Sequence, residues 1–193
     1  NPFLGYRAIR ISLDRIDIFK TQLRAILRAS HYGRIRLMYP MITSIEELRK
    51  ANAILREAMN ELREEGIPYD PQIKVGLTIE VPAAALMADL LAKEVDFFSI
   101  GTNDLVQYVL AVDRMNEKLS PMYDPFHPAV IRLLKQVADA AHQAGIGIAV
   151  CGEMAGDVRA LPVWLGLRIH ELSMSFQSIL AMKKRILETS AED

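Results

Sequence analysis

Apolar positions along the chain alternate between two rhythms. Across residues 6–30 they recur at steps of three and four, as Ile9, Leu13, Ile16, Phe19, Leu23, Ile26 and Leu27, which is the spacing of one buried helix face. His31, Tyr32 and Gly33 close that pattern, and residues 34–39 predict a strand stopped by Pro40. Ser44 and Glu47 have capping-box spacing and open a helix whose Leu48, Ala51, Leu55, Met59 and Leu62 share a face up to Gly66. In residues 74–81 the rhythm changes to two: Val75, Leu77, Ile79 and Val81 alternate with Gly76, Thr78 and Glu80, a second strand. Pro82 then begins a helix over 83–91. A third strand is predicted at 97–101, a helix at 128–144, a fourth strand at 146–151 and a helix near 159–165. A fifth strand at 169–174 and a last helix at 179–189 complete the reading.

Strands alternating with helices predict a parallel α/β sheet, and the common closed form of that arrangement is the (β/α)₈ TIM-type barrel. Five strands are visible and a whole barrel takes roughly 250 residues, so the 193 residues are expected to form one partial barrel domain spanning 1–193. With 51% hydrophobic and 24% charged residues the composition is that of an ordinary globular domain. The formal net charge of -1 argues against nucleic-acid binding. No apolar run approaches the ~18 residues of a membrane span, and the first residues lack a signal peptide, so no membrane insertion is expected. The single Cys151 excludes an internal disulfide framework and fits a reducing, cytoplasmic location. The absence of a starting Met leads to the expectation of a processed or excised piece.

Candidate chemistry gathers at the carboxyl ends of the predicted strands, where parallel α/β folds bind ligands. Glu80 ends the second strand, Gly101-Thr102-Asn103-Asp104 follows the third, and Cys151-Gly152-Glu153 follows the fourth. Glu80 and Asp104 are hard oxygen ligands of the kind Mg²⁺ takes, with water and substrate oxygens completing its octahedron; each alone reads equally as a solvated acid. Gln107 lies four residues after Asn103 and Arg114 seven further on, so one helix face is expected to present two amides and a guanidinium to the same pocket. Arg114 and Arg7 are the phosphate candidates, though Arg7 by itself reads as a surface charge. Cys151 reads either as a small buried hydrophobe or as a catalytic thiol.

Residues 96–114 resemble the signature of phosphoenolpyruvate-utilising enzymes. Asn1-Pro-Phe-Leu-Gly-Tyr-Arg7, Ile79-Glu-Val-Pro-Ala-Ala-Ala85 and Cys151-Gly-Glu-Met-Ala-Gly156 are similar to further blocks of that family, in the same order. Within it the chain looks like the carboxyl-terminal domain of the phosphoenolpyruvate-protein phosphotransferases, enzyme I of the sugar phosphotransferase system. The resemblance implies a (β/α)₈ barrel that binds phosphoenolpyruvate and Mg²⁺ and forms a homodimer. It also implies transfer of the phosphoryl group to a histidine of an amino-terminal domain, then to a histidine phosphocarrier protein, with release of pyruvate. By matched position, Glu80 and Asp104 would hold Mg²⁺, and Asn103, Asp104, Arg114 and Arg7 would contact substrate. Cys151 would be the proton donor.

The family's acceptor histidine sits in a Thr-Ser-His context that surrounds none of His31, His127, His142 and His170; His127 reads as a turn residue and His142 as one facing a helix end. The family also places three barrel strands and two phosphate-binding arginines before the block that begins here at Asn1, so the chain is expected to be strands four to eight. Arg168-Ile-His-Glu-Leu-Ser173 departs from the family, which usually has an acidic residue before the Glu and a Phe after it. Two other readings stand beside this one: the matching domain of a pyruvate phosphate dikinase or phosphoenolpyruvate synthase, and a non-catalytic dimerisation or regulatory barrel fragment.

Overall fold

The computed structural model describes residues 2–190, which leaves Asn1, the first residue of the opening motif, outside the described residues. The apolar rhythm of residues 6–30 resolves into two helices, α1 (Ile9–Asp14) and α2 (Ile16–Ser30), rather than the one expected. Arg15 breaks the run with ψ 69°, and its guanidinium bridges back onto Asp17 in the first turn of α2. The apolar positions accordingly serve two axes: Ile9 is buried in α1, Phe19, Leu23 and Leu27 in α2, and Ile16 at the junction stays 40% exposed.

Strand β1 (Arg36–Tyr39) leads into α3 (Ile45–Glu64), whose capping box forms with a small shift. Ser44 Oγ accepts the Glu47 N–H, while the Glu47 carboxylate accepts from the backbone and hydroxyl of Thr43 instead of from Ser44. Gly66, at φ 69°, closes α3 where a left-handed residue lets Ile67 N–H reach back to Leu62. After β2 (Lys74–Ile79), the expected helix over 83–91 is broken at Met87 into α4 (Pro82–Leu86) and α5 (Ala88–Leu91). Then follow β3 (Phe97–Gly101), α6 (Thr102–Leu110), α7 (Pro128–Ala144) and β4 (Gly147–Cys151). Last come α8 (Leu161–Gly166), β5 (Glu171–Leu172) and α9 (Phe176–Glu188). His127, read from sequence as a turn residue, is the N-cap of α7: its Nδ1 accepts the Ala129 N–H. The expected strand over 169–174 is a two-residue pairing, but His170 and Ser173 continue the ladder with N–H bonds to Ile148 and Val150.

All five strands run parallel in the order β1-β2-β3-β4-β5. Leu37, Tyr39, Leu77, Ile79, Phe98, Ile100, Ile148 and Val150 point outward into the helical layer and are buried there. On the inner face the register lines up Met38, Gly76, Phe97 and Gly147 in one row, and Thr78, Ser99, Ala149 and Glu171 in the next. Gly101 and Cys151 share the row above, at the carboxyl ends of the strands.

The sheet is strongly curled. Arg36 on the first strand and Glu171 on the last pair at 2.6 Å, although 135 residues separate them. In a flat sheet four strand spacings of about 4.8 Å would hold those edges about 19 Å apart, too far for the two side chains to meet. The contact requires an arc, and the architecture is that of a TIM-type (β/α) barrel represented by five consecutive strands. Among the described residues no helix is long and apolar enough to cross a membrane.

Candidate functional site

Glu80 is the first residue beyond β2 and the least expected one to find buried, at 9% exposure. Its Oε1 accepts the Met41 N–H at 2.7 Å, and Met41 takes a left-handed φ of 56° to aim that N–H inward. Gly101 on the neighbouring strand makes the room. A Cβ there would lie 2.9 Å from both Cβ and Oε2 of Glu80 and 2.9 Å from Thr78. Burial drives the Glu80 carboxyl above its ordinary pKa, and the nearby Asp104 carboxylate adds to that rise.

Asn103 and Asp104 lie in the first turn of α6, directly after β3. The Asn103 carboxamide oxygen accepts the Glu153 N–H at 2.9 Å, and its backbone carbonyl accepts from Tyr123. Gly152, at φ 94°, permits this approach: a Cβ would come within 2.8 Å of Asn103 Oδ1 and 2.6 Å of Thr102 Oγ1. Asp104 Oδ2 pairs with Arg7 Nη2 at 2.8 Å, a contact that holds Arg7 protonated above its ordinary range. Arg7 also donates to the Tyr108 hydroxyl, which itself donates to the Phe3 carbonyl.

Cys151, at the end of β4, has its thiol directed at the Ile100 carbonyl at 3.5 Å. Burial pushes this thiol up, with Glu80 adding to the shift, so the protonated form is the resting one and can serve as the donor in that contact.

Residues from three strand ends, from the turn after α6 and from the segment before α1 therefore meet around one cavity of about 440 Å³. It is lined by Phe3, Arg7, Glu80, Gly101, Asn103, Asp104, Arg114, Cys151 and Gly152. The six residues read as metal, substrate or proton-donor candidates, Glu80, Asp104, Asn103, Arg114, Arg7 and Cys151, are among them, while Gln107 is not. Arg7, which spacing alone left as a surface charge, joins through the loop that packs Phe3 against Tyr108.

The expected geometry of Gln107 and Arg114 is corrected. Helix α6 ends at Ala111 with φ 54°, so Arg114 stands on the turn after it and not on its face. Gln107 lines a separate apolar cavity of about 600 Å³ beside Leu4, Val81 and Val112, and does not reach the first one. Arg114 instead arrives through the turn, where its Nη1 pairs with Glu153 at 2.8 Å. Sequence reading passed over three supports: Tyr108, Tyr123 and Gly152. Burial raises both phenols, Tyr123 to about 12, so each stays a hydroxyl able to donate at neutral pH. The Gly after Cys151 was the one available sequence signal for the third.

Four non-glycine residues among those described adopt positive φ, and three of them flank this cavity. Ala8 follows Arg7, Met41 serves Glu80, and Ala111 precedes Arg114. Such backbone costs about 1–3 kcal/mol per residue and persists where the surroundings over-determine it.

The donor set suits a hard divalent cation. Two carboxylates stand on adjacent strand ends, and beyond the effect of burial the Asp104 charge adds to the rise of Glu80, a repulsion that a cation would relieve. Among the described residues no group of three His, Cys, Asp or Glu side chains could hold a metal without help, so oxygens of water or substrate would have to complete the shell.

Comparison with known proteins identifies the family. Residues 1–191 match the family model described as PEP-utilising enzyme, PEP-binding domain. The phosphoenolpyruvate-protein phosphotransferase of Priestia megaterium is 53% identical over 100% of this chain, and that of Staphylococcus aureus is 54% identical over 96% of it. The chain spans 34% and 32% of the length of these two relatives. Among solved structures, a citrate lyase from Burkholderia xenovorans superposes with TM-score 0.61 at 22% identity, covering 86% of this chain and 53% of its own. An aldolase/citrate lyase family protein from Burkholderia cenocepacia gives TM-score 0.58 at 19% identity, covering 88% and 68%. At that identity the likeness carries the fold alone.

Proposed function

Because the chain belongs to the PEP-utilising enzymes, as their PEP-binding domain, we propose that it binds phosphoenolpyruvate in the 440 Å³ cavity as part of a phosphoenolpyruvate-protein phosphotransferase. The observation that carries the reading is the convergence of two arginines, an amide, two carboxylates and a protonated thiol on that cavity. Relatives above 50% identity named for this activity support it.

In this reading Arg7 and Arg114 bind and orient the phosphoryl oxygens, and Asn103 contributes its amide. Glu80 and Asp104 hold Mg²⁺, which when bound neutralises phosphoryl charge. None of His31, His127, His142 and His170 lines the cavity, so the acceptor is a histidine from elsewhere in the protein. The bond from phosphorus to the enol oxygen breaks as the histidine nitrogen bonds to phosphorus, and enolpyruvate is left with the electron pair. Cys151 then gives its proton to the terminal carbon and pyruvate leaves; the thiolate takes a proton back from solvent. A nucleophilic role would need a lowered thiol pKa, whereas burial raises this one. The phosphohistidine then passes its phosphoryl group to a histidine phosphocarrier protein, and the enzyme works as a homodimer in the cytoplasm.

Calorimetric titration of the full-length protein with phosphoenolpyruvate tests the reading. Binding should require Mg²⁺, and Asp104→Ala should abolish that requirement together with most of the affinity while leaving the thermal unfolding transition in place. Equal binding with and without Mg²⁺ in the unaltered protein would remove the metal role.

A further inference from the structure

Arg114 is placed by a turn, and the turn is held by one residue. Gln107 is 4% exposed, and its main-chain carbonyl accepts the N–H groups of Ala111 and Val112 at the end of α6. Its side-chain Oε1 accepts a third, the N–H of Arg114, at 3.1 Å. Three of the four N–H groups from residue 111 to residue 114 thus converge on Gln107. The guanidinium has little else to fix it: its Nε is buried with no hydrogen-bond partner among the described residues, and its one ion pair is to Glu153, which is 75% exposed. Screening by solvent makes such a pair a weak constraint.

We infer that Gln107 is the positioning residue for Arg114, acting from one turn further along α6 without touching the ligand. The inference rests on the reading that Arg114 grips the phosphoryl group. It also gives this buried amide a use: its Oε1 holds the Arg114 N–H, while its Nε2 has no hydrogen-bond partner among the described residues. Only the oxygen half of the side chain is used, so a residue keeping that oxygen should serve and an isosteric hydrocarbon should not.

The test is a titration with phosphoenolpyruvate in Mg²⁺ on the full-length protein and five variants. Arg114→Ala should bind about tenfold to a hundredfold more weakly, as expected for loss of charge-assisted bonds. Gln107→Leu should bind about threefold to tenfold more weakly, and Gln107→Glu should stay within about twofold of the unaltered protein. The double variant Gln107→Leu/Arg114→Ala should bind no more weakly than Arg114→Ala alone, because a residue that acts through Arg114 has nothing left to act on. A merely structural role would repeat its loss in that background, and this result would overturn the inference. So would Gln107→Leu binding like the unaltered protein. Should Gln107→Leu fail to show a cooperative melt, Gln107→Met takes its place with the same expectations. If Arg114→Ala itself binds normally, the functional reading of the cavity fails, an outcome distinct from a failure of Gln107 alone.

Discussion

Replacing Glu80 by Gln should stabilise the fold while removing its Mg²⁺-dependent ligand binding. The amide keeps Oε1, so the 2.7 Å bond from Met41 N–H survives, but as a neutral hydrogen bond about 1 kcal/mol weaker than the charge-assisted one. Against that loss stands the removal of a carboxylate that is 9% exposed and whose neighbouring arginine, Arg7, is already paired with Asp104. Leaving a buried polar or charged group without its own partner costs about 1–3 kcal/mol or more. The net gain is therefore about 1 kcal/mol, which in a chain of 193 residues raises Tm by about 2–4 °C. The sign with pH follows from the direction of the Glu80 shift. A carboxyl raised in the folded state contributes stability that is fully present below the unfolded value near pH 4.3 and is lost as pH rises through the folded value. Thermal unfolding of both proteins at pH 7 and pH 4 reads this directly: the variant should be the more stable at pH 7 and the difference should shrink at pH 4. A lower Tm for Glu80→Gln at pH 7 would refute the reasoning and mark the carboxylate as a net stabiliser.

Cys151→Ser should bind phosphoenolpyruvate nearly as tightly as the unaltered protein but release pyruvate at least tenfold more slowly, since a hydroxyl is far too weak an acid to replace the thiol; stopped-flow detection of pyruvate checks it. Gly152→Ala should cost about 1–3 kcal/mol in urea unfolding and weaken ligand binding, because its Cβ would displace Thr102 Oγ1 and Asn103 Oδ1 at a backbone φ of 94°. Glu153→Gln removes the carboxylate that occupies Arg114 and should tighten phosphoenolpyruvate binding by about twofold to fivefold in calorimetry; weaker binding would show that Glu153 helps the ligand rather than competing with it.

What the sequence made legible was whatever depends on short-range periodicity. The alternation of residues 74–81 set Glu80 on the face opposite Val75, Leu77, Ile79 and Val81, and the strand ends named the rim. The breaks were less visible. Arg15 and Met87 interrupt helices by their own ψ values within otherwise continuous apolar spacing. The most instructive miss concerns Arg114. Helical spacing carried it onto the face of α6, but the helix stops at Ala111, a residue with no sequence signature for a left-handed conformation. Spacing alone left Arg7 as a surface charge for a different reason: its partner Asp104 lies 97 positions away, and only the folded chain brings them together. Local pattern predicted the parts of the site that strands carry, while those carried by turns and by long-range packing needed the fold.

Glu80, Gly101 and Cys151 come from three successive strands, and the register of the ladder alone makes them neighbours. Side chains alternate faces at every residue, so a one-residue slip of β2 against β3 would turn Glu80 out into the helical layer. The cavity therefore has no half-formed version: it comes into being only when the β2–β3 and β3–β4 pairings are both in register. A ligand that recognises the finished row stabilises that register by mass action and gives nothing to chains caught in slipped ones. The slow, non-local closure characteristic of parallel sheets thus coincides with the acquisition of binding, and recovery of ligand affinity after denaturation becomes a clock for correct strand pairing.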